Sequence, residues 1–160
     1  MIIFVQNNFN LERSEQELVR REKLKQLRAL GIDPYPAAAF STDANSESIA
    51  VDFNEGKQVT IAGRLMSRRI QGKASFAELQ DSQGHIQIYF NRDILCPTED
   101  KSMYNDVYKK LLDIGDIIGV TGTLFTTQVG EKTVQVESLY VLSKSLRPLP
   151  LPKTDTDGNS

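Results

Sequence analysis

The residues best suited to binding chemistry lie between Lys57 and Phe90, where basic, aromatic and amide side chains occur together in a segment of alternating polarity. The stretch from Glu55 to Glu78 has no acidic residue between its ends, and it carries five cations: Lys57, Arg64, Arg68, Arg69 and Lys73. Because the whole chain has a formal net charge of -2, this local excess of positive charge predicts a surface for a polyanion. For any single arginine here, the alternative is an ordinary solvated strand face.

An aromatic ring and an amide in the same segment add the means to contact a nucleobase. Period-two alternation in KASFAELQD places Phe76 among polar neighbours, opposite the face of Ser75, Ala77 and Leu79. An outward ring beside cations can stack on a base, which contributes about 1–3 kcal/mol, whereas a bulge that reverses the phase would bury it. In GHIQIYF, Gln87 projects from the same face as Phe76, as a base-edge ligand or as an ordinary surface residue.

Composition excludes several other classes of protein. A length of 160 residues predicts one domain with tails, and 39% hydrophobic and 25% charged residues are typical of a soluble globular protein. No apolar run approaches the ~20 residues that cross a bilayer, and MIIFVQNNFN lacks the features of a secretory signal, so we predict a cytoplasmic protein without a membrane partner. Cys96 and His85 are the only residues of their types, which excludes an internal disulfide and predicts no metal or catalytic site.

The order of the predicted elements begins with a helix and a linker. A capping box at Ser14 and a terminating glycine at Gly31 indicate a helix over about 15–30. The segment 1–13 before it is predicted to be irregular or disordered. Prolines and small polar residues after the helix indicate a linker, so helix and linker together occupy residues 14–56.

Residues 57–146 alternate as three strands, a helix over about 103–114, and two further strands that flank a turn at 129–132. The order β-β-β-α-β-β is that of the OB fold, a mainly β, five-stranded Greek-key barrel whose second and third strands and loops bind oligonucleotides. The predicted architecture is therefore this barrel preceded by an N-terminal α-helix. Residues 147–160 are rich in proline and small polar residues, and we interpret them as the start of a linker.

Four segments in this order carry a resemblance to a known family: RREKLKQLRALGIDPYP, GRLMSRRIQGKASFAELQD, GHIQIYF and SLRPLP. They resemble the N-terminal anticodon-binding domain of class II lysyl-tRNA synthetases, from about Ser14 to Pro150. The resemblance implies that this chain recognises a U-rich lysine anticodon. It implies that Phe76 stacks on the central base and that Gln87 hydrogen-bonds a base edge.

The resemblance also assigns Glu131, which would accept a hydrogen bond from a neighbouring uridine, and Arg69, which would contact the last anticodon position. Strand alternation conflicts with Arg69, because it points Arg68 outward and Arg69 inward unless a bend at Gly63 or a bulge intervenes. Both arginines therefore remain candidate anticodon-binding residues. Two further cations, Arg64 and Lys73, are candidates for contacts with phosphate groups.

The family also implies a partner, tRNA(Lys) with its anticodon stem-loop, and a homodimer in the intact enzyme. The resemblance implies that the intact enzyme uses ATP and Mg2+ to activate lysine in a catalytic domain, to which residues 147–160 would be the start of a linker. The class II motifs of that domain are absent from this sequence. We therefore predict no cofactor for this chain and no activity alone. The alternatives are the same domain of an aspartyl- or asparaginyl-tRNA synthetase, an OB-fold interaction module and a generic single-strand binder.

Overall fold

The computed structural model describes the backbone of residues 2–34 and 39–146, and the side chains of residues 15–34 and 39–146. The predicted linker over 147–160 lies outside the described residues. Four helices and five strands follow in the order α1 Ile2–Ala29, α2 Ser46–Val51, β1 Gln58–Gln71, β2 Ala74–Asp81, β3 Gly84–Asn91, α3 Arg92–Leu95, α4 Met103–Leu111, β4 Ile117–Thr126 and β5 Lys132–Ser143.

The five strands close into a barrel in the order β1-β2-β3-β5-β4. Neighbouring strands are antiparallel except β3 and β5, which pair in parallel and have Ile88 opposite Val134. Each of the five strands therefore has a paired strand on both sides, with β3 and β5 paired over three residues. The predicted five-stranded OB fold with a preceding helix is therefore confirmed.

Alternation along the strands fills the barrel interior. In β4, the in-phase residues Ile118, Val120 and Leu124 are buried, as the pattern predicted. Gly122 keeps the phase but carries no side chain, because a Cβ there would overlap the backbone of Gln135 on β5. Glycine at this position therefore lets two strands approach closely.

The helix between the third and fourth strands closes one end of the barrel with aromatic rings. The ring of Tyr108 stacks on that of Phe90 at 3.9 Å between centroids and on that of Tyr104 at 5.6 Å. The predicted helix over 103–114 is shorter, ending at Leu111, and Met103–Leu111 has the wide hydrogen bonding of a π-helix throughout. The segment between β3 and α4 contains a short helix, α3, which Asn91 caps by accepting from the Asp93 amide.

The N-terminal helix ends as predicted but begins earlier. Gly31 has a φ of 80°, and the Ile32 amide donates to the Leu27 carbonyl at 2.9 Å, which is a Schellman ending. The start near residue 15 and the irregular segment at 1–13 were wrong, because α1 is helical from Ile2. No proline or glycine interrupts residues 2–13, so the capping box at Ser14 lies inside a longer helix.

The predicted linker contains helix α2, which sequence reasoning missed. Asn45 and Ser48 form a reciprocal capping box at its start, a spacing that could have revealed it. The amide and the hydroxyl of Ser46 donate to the Asp81 carboxylate, each at 2.7 Å. Partial burial raises the pKa of Asp81, but these bonds and those from the amides of Gln83 and Gly84 hold the pKa below its ordinary value. Helix α2 is thus fastened to the β2–β3 turn.

A buried charge cluster fastens α1 and the end of β5 to the barrel; we call it the basal cluster, formed by Lys23, Asp113, Asp116 and Lys144. Lys144 Nζ lies 2.6 Å from Asp113 Oδ2 and 2.8 Å from Asp116 Oδ2, and Lys23 Nζ on α1 lies 2.7 Å from Asp113 Oδ1. Burial raises the pKa of Asp113, but hydrogen bonds from Lys144 and Lys23 outweigh it and lower that pKa overall. Arg20 adds hydrogen bonds to the carbonyls of Ile114 and Ser145.

Candidate nucleic-acid interface

The outer face of β2 and β3 carries the predicted contact residues. Phe76 lies opposite Tyr89, and Glu78 lies opposite Gln87, so these four side chains form a block on one surface. Their neighbours in the opposite phase are buried, including Ala77 at 4% and Ile88 at 0% exposure. The predicted phase is confirmed, and Phe76 is an outward, half-buried residue.

A bulge in β1 resolves the conflict over Arg69. The register of β1 against β2 shifts between Leu65 and Ser67, which reverses the side-chain phase in the rest of the strand. Arg69 consequently lies opposite Phe76 and is exposed. The predicted bulge before the turn is confirmed, and it brings a cation to the stacking ring.

Arg68 is turned by the same bulge to the inner phase, opposite Ala77. Its guanidinium donates to the carbonyl of Tyr108 and, at 2.8 Å, to that of Leu112, and it lies 5.4 Å from the centre of the Tyr108 ring. These carbonyls lie at the end of α4, where the helix leaves acceptors unsatisfied. We therefore assign Arg68 to the closure of the barrel, although it still borders the cavity described below.

An open cavity of about 370 Å³ gathers the remaining candidates. It is lined by side chains from β1, β2, β3 and the β4–β5 turn, among them Arg69, Phe76, Glu78, His85, Gln87 and Glu131. His85 Nδ1 lies against Glu78 Oε1 at its floor. A ring, an amide, carboxylates and a guanidinium therefore face one space of a size that admits a nucleobase.

Thr133 links two of these residues, and sequence reasoning missed it. Its hydroxyl oxygen lies 2.9 Å from Gln87 Oε1 and 3.1 Å from the Glu131 carbonyl oxygen, and the residue is fully buried. With its Oε1 held by the hydroxyl, Gln87 presents its NH2 group to the cavity. The only signal in the sequence is a hydroxyl residue two positions after Glu131, which is too common to identify.

Glu131 is held in the β4–β5 turn by backbone contacts that leave its carboxylate exposed. The Glu131 amide donates to Thr127 Oγ1 at 3.0 Å, and its carbonyl accepts from the Thr127 amide at 3.0 Å. Gly130 has a φ of 86°, a left-handed conformation that lets this turn close. The carboxylate of Glu131 therefore stands at the rim of the cavity on a defined turn.

The two phosphate candidates lie in different places. Lys73 is on the β1–β2 turn, with an exposed side chain whose Nζ lies 3.7 Å from Asp93 Oδ2. Arg64 lies before the bulge, between Gln80 on β2 and Ile117 on β4, and it does not line the cavity. The structure therefore groups neither of them directly with Phe76.

Two general properties can be stated for the part of the chain that the structure describes. No group of three or more His, Cys, Asp or Glu side chains there is arranged to hold a metal ion. None of its helices combines the length and the apolar character needed to cross a membrane.

Comparison with known proteins adds a family to this geometry. Residues 59–142 match the family model described as an OB-fold nucleic acid binding domain. The chain is also 65% identical over 153 residues to a lysine–tRNA ligase of Christiangramia forsetii, covering 96% of this chain and 27% of that protein. A lysine–tRNA ligase of Porphyromonas gingivalis is 58% identical over 153 residues, covering 92% of this chain and 26% of the relative. The chain thus spans about a quarter of the length of these curated relatives.

Proposed function

The chain belongs to the family of OB-fold nucleic acid binding domains, and on that premise we propose that it recognises the anticodon of tRNA(Lys) as part of a lysine–tRNA ligase. The observation that carries the proposal is the single cavity on the β2–β3 face, to which Arg69, Phe76, Gln87 and Glu131 all contribute. Stacking, base-edge hydrogen bonding and charge therefore act on the same small volume. The high identity to two lysine–tRNA ligases supports the choice of amino acid and tRNA.

Phe76 supplies the stacking surface for the central anticodon base. Its ring is half-buried on the outer face and rests against the ring of Tyr89, with 5.0 Å between centroids. A ring held in this way needs little reorganisation to accept a base, and such stacking contributes about 1–3 kcal/mol. Stacking is tolerant of base identity, so selectivity must come from the polar groups beside it.

Gln87 and Glu131 supply a hydrogen-bonding pattern that suits uridine. Uracil has an imide N–H between two carbonyl oxygens. The Glu131 carboxylate can accept from that N–H, and the NH2 group of Gln87 can donate to a carbonyl. Cytosine has a ring nitrogen acceptor in place of the N–H and an amino group in place of one carbonyl. In the same position, cytosine would set the lone pair of its ring nitrogen against the Glu131 carboxylate and lose that hydrogen bond, which lowers its affinity.

Cations hold the RNA backbone around these bases. Arg69 lies opposite Phe76, and Lys73 lies on the turn between β1 and β2, so both can meet phosphates of the splayed loop. Contacts of this kind release counterions, and we therefore expect affinity to fall steeply as salt rises.

The chemistry of the whole enzyme is part of the same proposal. We assign lysine activation with ATP and Mg2+ to the regions of such a ligase that this chain does not match, since it spans about a quarter of its relatives. We accordingly expect no ATP–pyrophosphate exchange from the chain alone, and a lysine-dependent exchange signal would overturn that. A homodimeric enzyme working in the cytoplasm completes the proposal.

The decisive experiment titrates the chain with lysine anticodon stem-loop RNA and with the same RNA carrying cytidine at the central position, at one fixed salt concentration. We expect a preference of at least about tenfold for uridine, equal to about 1.4 kcal/mol. Equal binding would overturn base recognition and leave an electrostatic surface. Absence of binding would reject the RNA-binding function, and tighter binding of an aspartate anticodon stem-loop would reject the lysine assignment.

Phe76→Ala tests the stacking residue, with Tyr140→Ala as the matched control. Tyr140 is another exposed aromatic residue on a strand, but it packs against Phe40 outside the cavity. We expect Phe76→Ala to weaken binding about 5- to 150-fold with an unchanged unfolding midpoint, and Tyr140→Ala to leave binding unchanged. Unfolding of the Phe76 variant would show that the ring serves the core.

A further inference from the structure

The aromatic surface does not end at Phe76 and Tyr89. The ring of Tyr89 on β3 also contacts that of Phe125 on β4, with 5.9 Å between centroids and an angle of 69° between their planes. Phe125 is half-buried in the outward phase of β4, next to the buried Leu124. Three rings from three strands therefore form one continuous row, which we call the aromatic row: Phe76, Tyr89 and Phe125.

The row crosses a strand to which none of its rings belongs. In the barrel order, β5 lies between β3 and β4, so Tyr89 and Phe125 meet over the outer surface of β5. Thr133 of β5 lies opposite both Gln87 and Phe125, and it is a short side chain. The row therefore continues the β2–β3 face, past the position of Gln87, toward the other side of the barrel.

A second outward aromatic pair shows what a purely structural contact looks like in this fold. Phe40 and Tyr140 have ring centroids 5.4 Å apart, and Phe40 covers Gly119, where a Cβ would overlap its ring. The absence of a side chain at Gly119 therefore makes room for the Phe40 ring, and this packing explains why Phe40 and Tyr140 are in contact. Phe125 is paired with Thr133 on β5 and not with a glycine.

We propose that Phe125, supported by Tyr89, is a second stacking site, which takes the unpaired base adjacent to the one stacked on Phe76. The ligand is single-stranded RNA with two consecutive splayed bases. The inference rests on the proposed function, because it needs RNA on the β2–β3 face, and it goes further by setting the direction of the RNA across the strands from β2 toward β4. Tyr89 fills the space between the two stacking rings and keeps them apart.

The two sites differ in what they contribute. The first has Gln87 and Glu131 beside its ring and discriminates between bases. The ring contacts of Phe125 at the second site include no such amide and carboxylate. The second site therefore contributes affinity for any base, because every base has a stacking face. Loss of the second site lowers affinity without changing the preference for uridine.

Tryptophan fluorescence tests this directly, because the chain contains no tryptophan. Three variants each introduce one reporter: Phe76→Trp, Phe125→Trp and, as a control outside the row, Tyr140→Trp. Each is titrated with four lysine anticodon stem-loops: the intact RNA, an RNA with an abasic central position, and two RNAs that each have one abasic position, on the 5′ or on the 3′ side of the central base. A base that stacks on the indole quenches its emission.

We expect the intact RNA to quench Phe76→Trp and Phe125→Trp at saturation and to leave Tyr140→Trp unchanged. Removing the central base should abolish quenching at position 76 and keep it at 125, and removing one of its neighbours should do the opposite. Quenching at 76 without quenching at 125 would overturn the second stacking site and leave the proposed function intact. Quenching at neither position, with binding absent by an independent measurement, would reject the proposed function itself.

Phe125→Leu tests the same inference without enlarging the side chain. We expect affinity for the intact stem-loop to fall about 5- to 150-fold and the ratio of uridine to cytidine binding to stay as in the unaltered chain. Combining this variant with the abasic neighbour should cost no more than either change alone, because both remove one stacking contact. Fully additive losses would overturn the proposal.

Discussion

Arg68 and Arg69 are adjacent in sequence but belong to regions that use charge in opposite ways. The guanidinium of Arg68 donates hydrogen bonds to carbonyls at the end of α4, in the closed end of the barrel. Arg69 is exposed at the cavity rim, and its guanidinium makes no hydrogen bond or ion pair with any residue that the structure describes. Both arginines follow the bulge between Leu65 and Ser67, so strand alternation places them on opposite faces, and the bulge decides that Arg69 is the outward one.

The basal cluster and the cavity extend this contrast. Lys144 and Asp116 are almost wholly buried, at 1% and 0% side-chain exposure, and their charges are satisfied by each other and by neighbouring backbone. Among the described residues, no buried side-chain nitrogen or oxygen lacks a partner. The cavity instead keeps the Arg69 guanidinium and the Glu131 carboxylate in contact with solvent. Groups that are already satisfied stabilise the fold, whereas groups left unsatisfied are available to a ligand.

Lys144→Met should have the largest effect of these changes, a loss of stability that acts only through the basal cluster. It leaves Asp116 buried without its cation, and removing one partner of a buried pair costs about 3–5 kcal/mol. Urea denaturation should show that loss in the free energy of unfolding. Lys73→Met, on an exposed lysine, should stay within about 0.5 kcal/mol. Equal stabilities of the two variants would contradict the assignment of the basal cluster to stability.

Alkaline pH should lower the free energy of unfolding through the ionisation of Tyr108. Burial, only partly offset by the hydrogen bond with Ser75, raises the pKa of Tyr108 to about 12. Below about pH 10 the phenol is neutral in both states, and above it the unfolded chain ionises first, so stability falls as pH rises toward about 12. A two-unit difference corresponds to about 2–3 kcal/mol at most.

Tyr108→Phe isolates this contribution. The difference in unfolding free energy between the unaltered chain and this variant should shrink as pH rises from about 10 to about 12. The unfolding free energy of the variant should still fall somewhat at alkaline pH, because burial also raises the pKa of Tyr104. A difference that stays constant with pH would show that Tyr108 ionises equally in both states.

Exchanging each arginine for glutamine tests the contrast within a single strand. Arg68→Gln should destabilise the chain by about 1.5–3 kcal/mol, the value of hydrogen bonds to a charged group, and leave the RNA affinity of the folded protein nearly unchanged. Arg69→Gln should do the reverse, with stability within about 0.5 kcal/mol, weaker RNA binding and a salt dependence shallower by about one phosphate contact. If both variants changed stability alone, Arg69 would have no part in binding.

Much of the β2–β3 face was predictable because strand alternation is a local rule. The phases of Phe76 and Gln87 followed from period two, and the five-strand order followed from turns and a helix between strands 3 and 4. Even the conflict between Arg68 and Arg69 was informative, since it required the bulge that the structure contains. The continuation of the face to Phe125 was not predictable, because it depends on the pairing of β5 between β3 and β4.

The basal cluster lay beyond sequence reasoning for a similar reason, and the only local sign of α2 was its capping box. Lys23, Asp113 and Lys144 are far apart in the chain, and only the closed barrel brings them together. Helix α2 is six residues long, too short for a periodic pattern to distinguish it from polar loop. Contacts between distant residues and very short helices carry little local signal.

Thr133→Val should have the smallest effect, because it acts on the cavity only through other residues. The change keeps the shape of the side chain and removes the hydroxyl, whose single proton is donated to the nearer acceptor, Gln87 Oε1 at 2.9 Å, with the Glu131 carbonyl oxygen at 3.1 Å. Gln87 can then turn its oxygen toward the base and accept from cytosine, so the preference for uridine over cytidine should narrow by a factor of about 3 to 10.

Thr133→Ser restores the hydroxyl and should restore that preference, which a loss of packing alone would not predict. Both variants are measured against the same pair of stem-loops, with total affinity and the unfolding midpoint recorded in parallel. If valine lowered binding to both RNAs equally, Thr133 would support the turn at Glu131 without orienting Gln87. If only the uridine complex weakened and serine recovered it, a buried hydroxyl would set the direction in which an exposed amide reads its base.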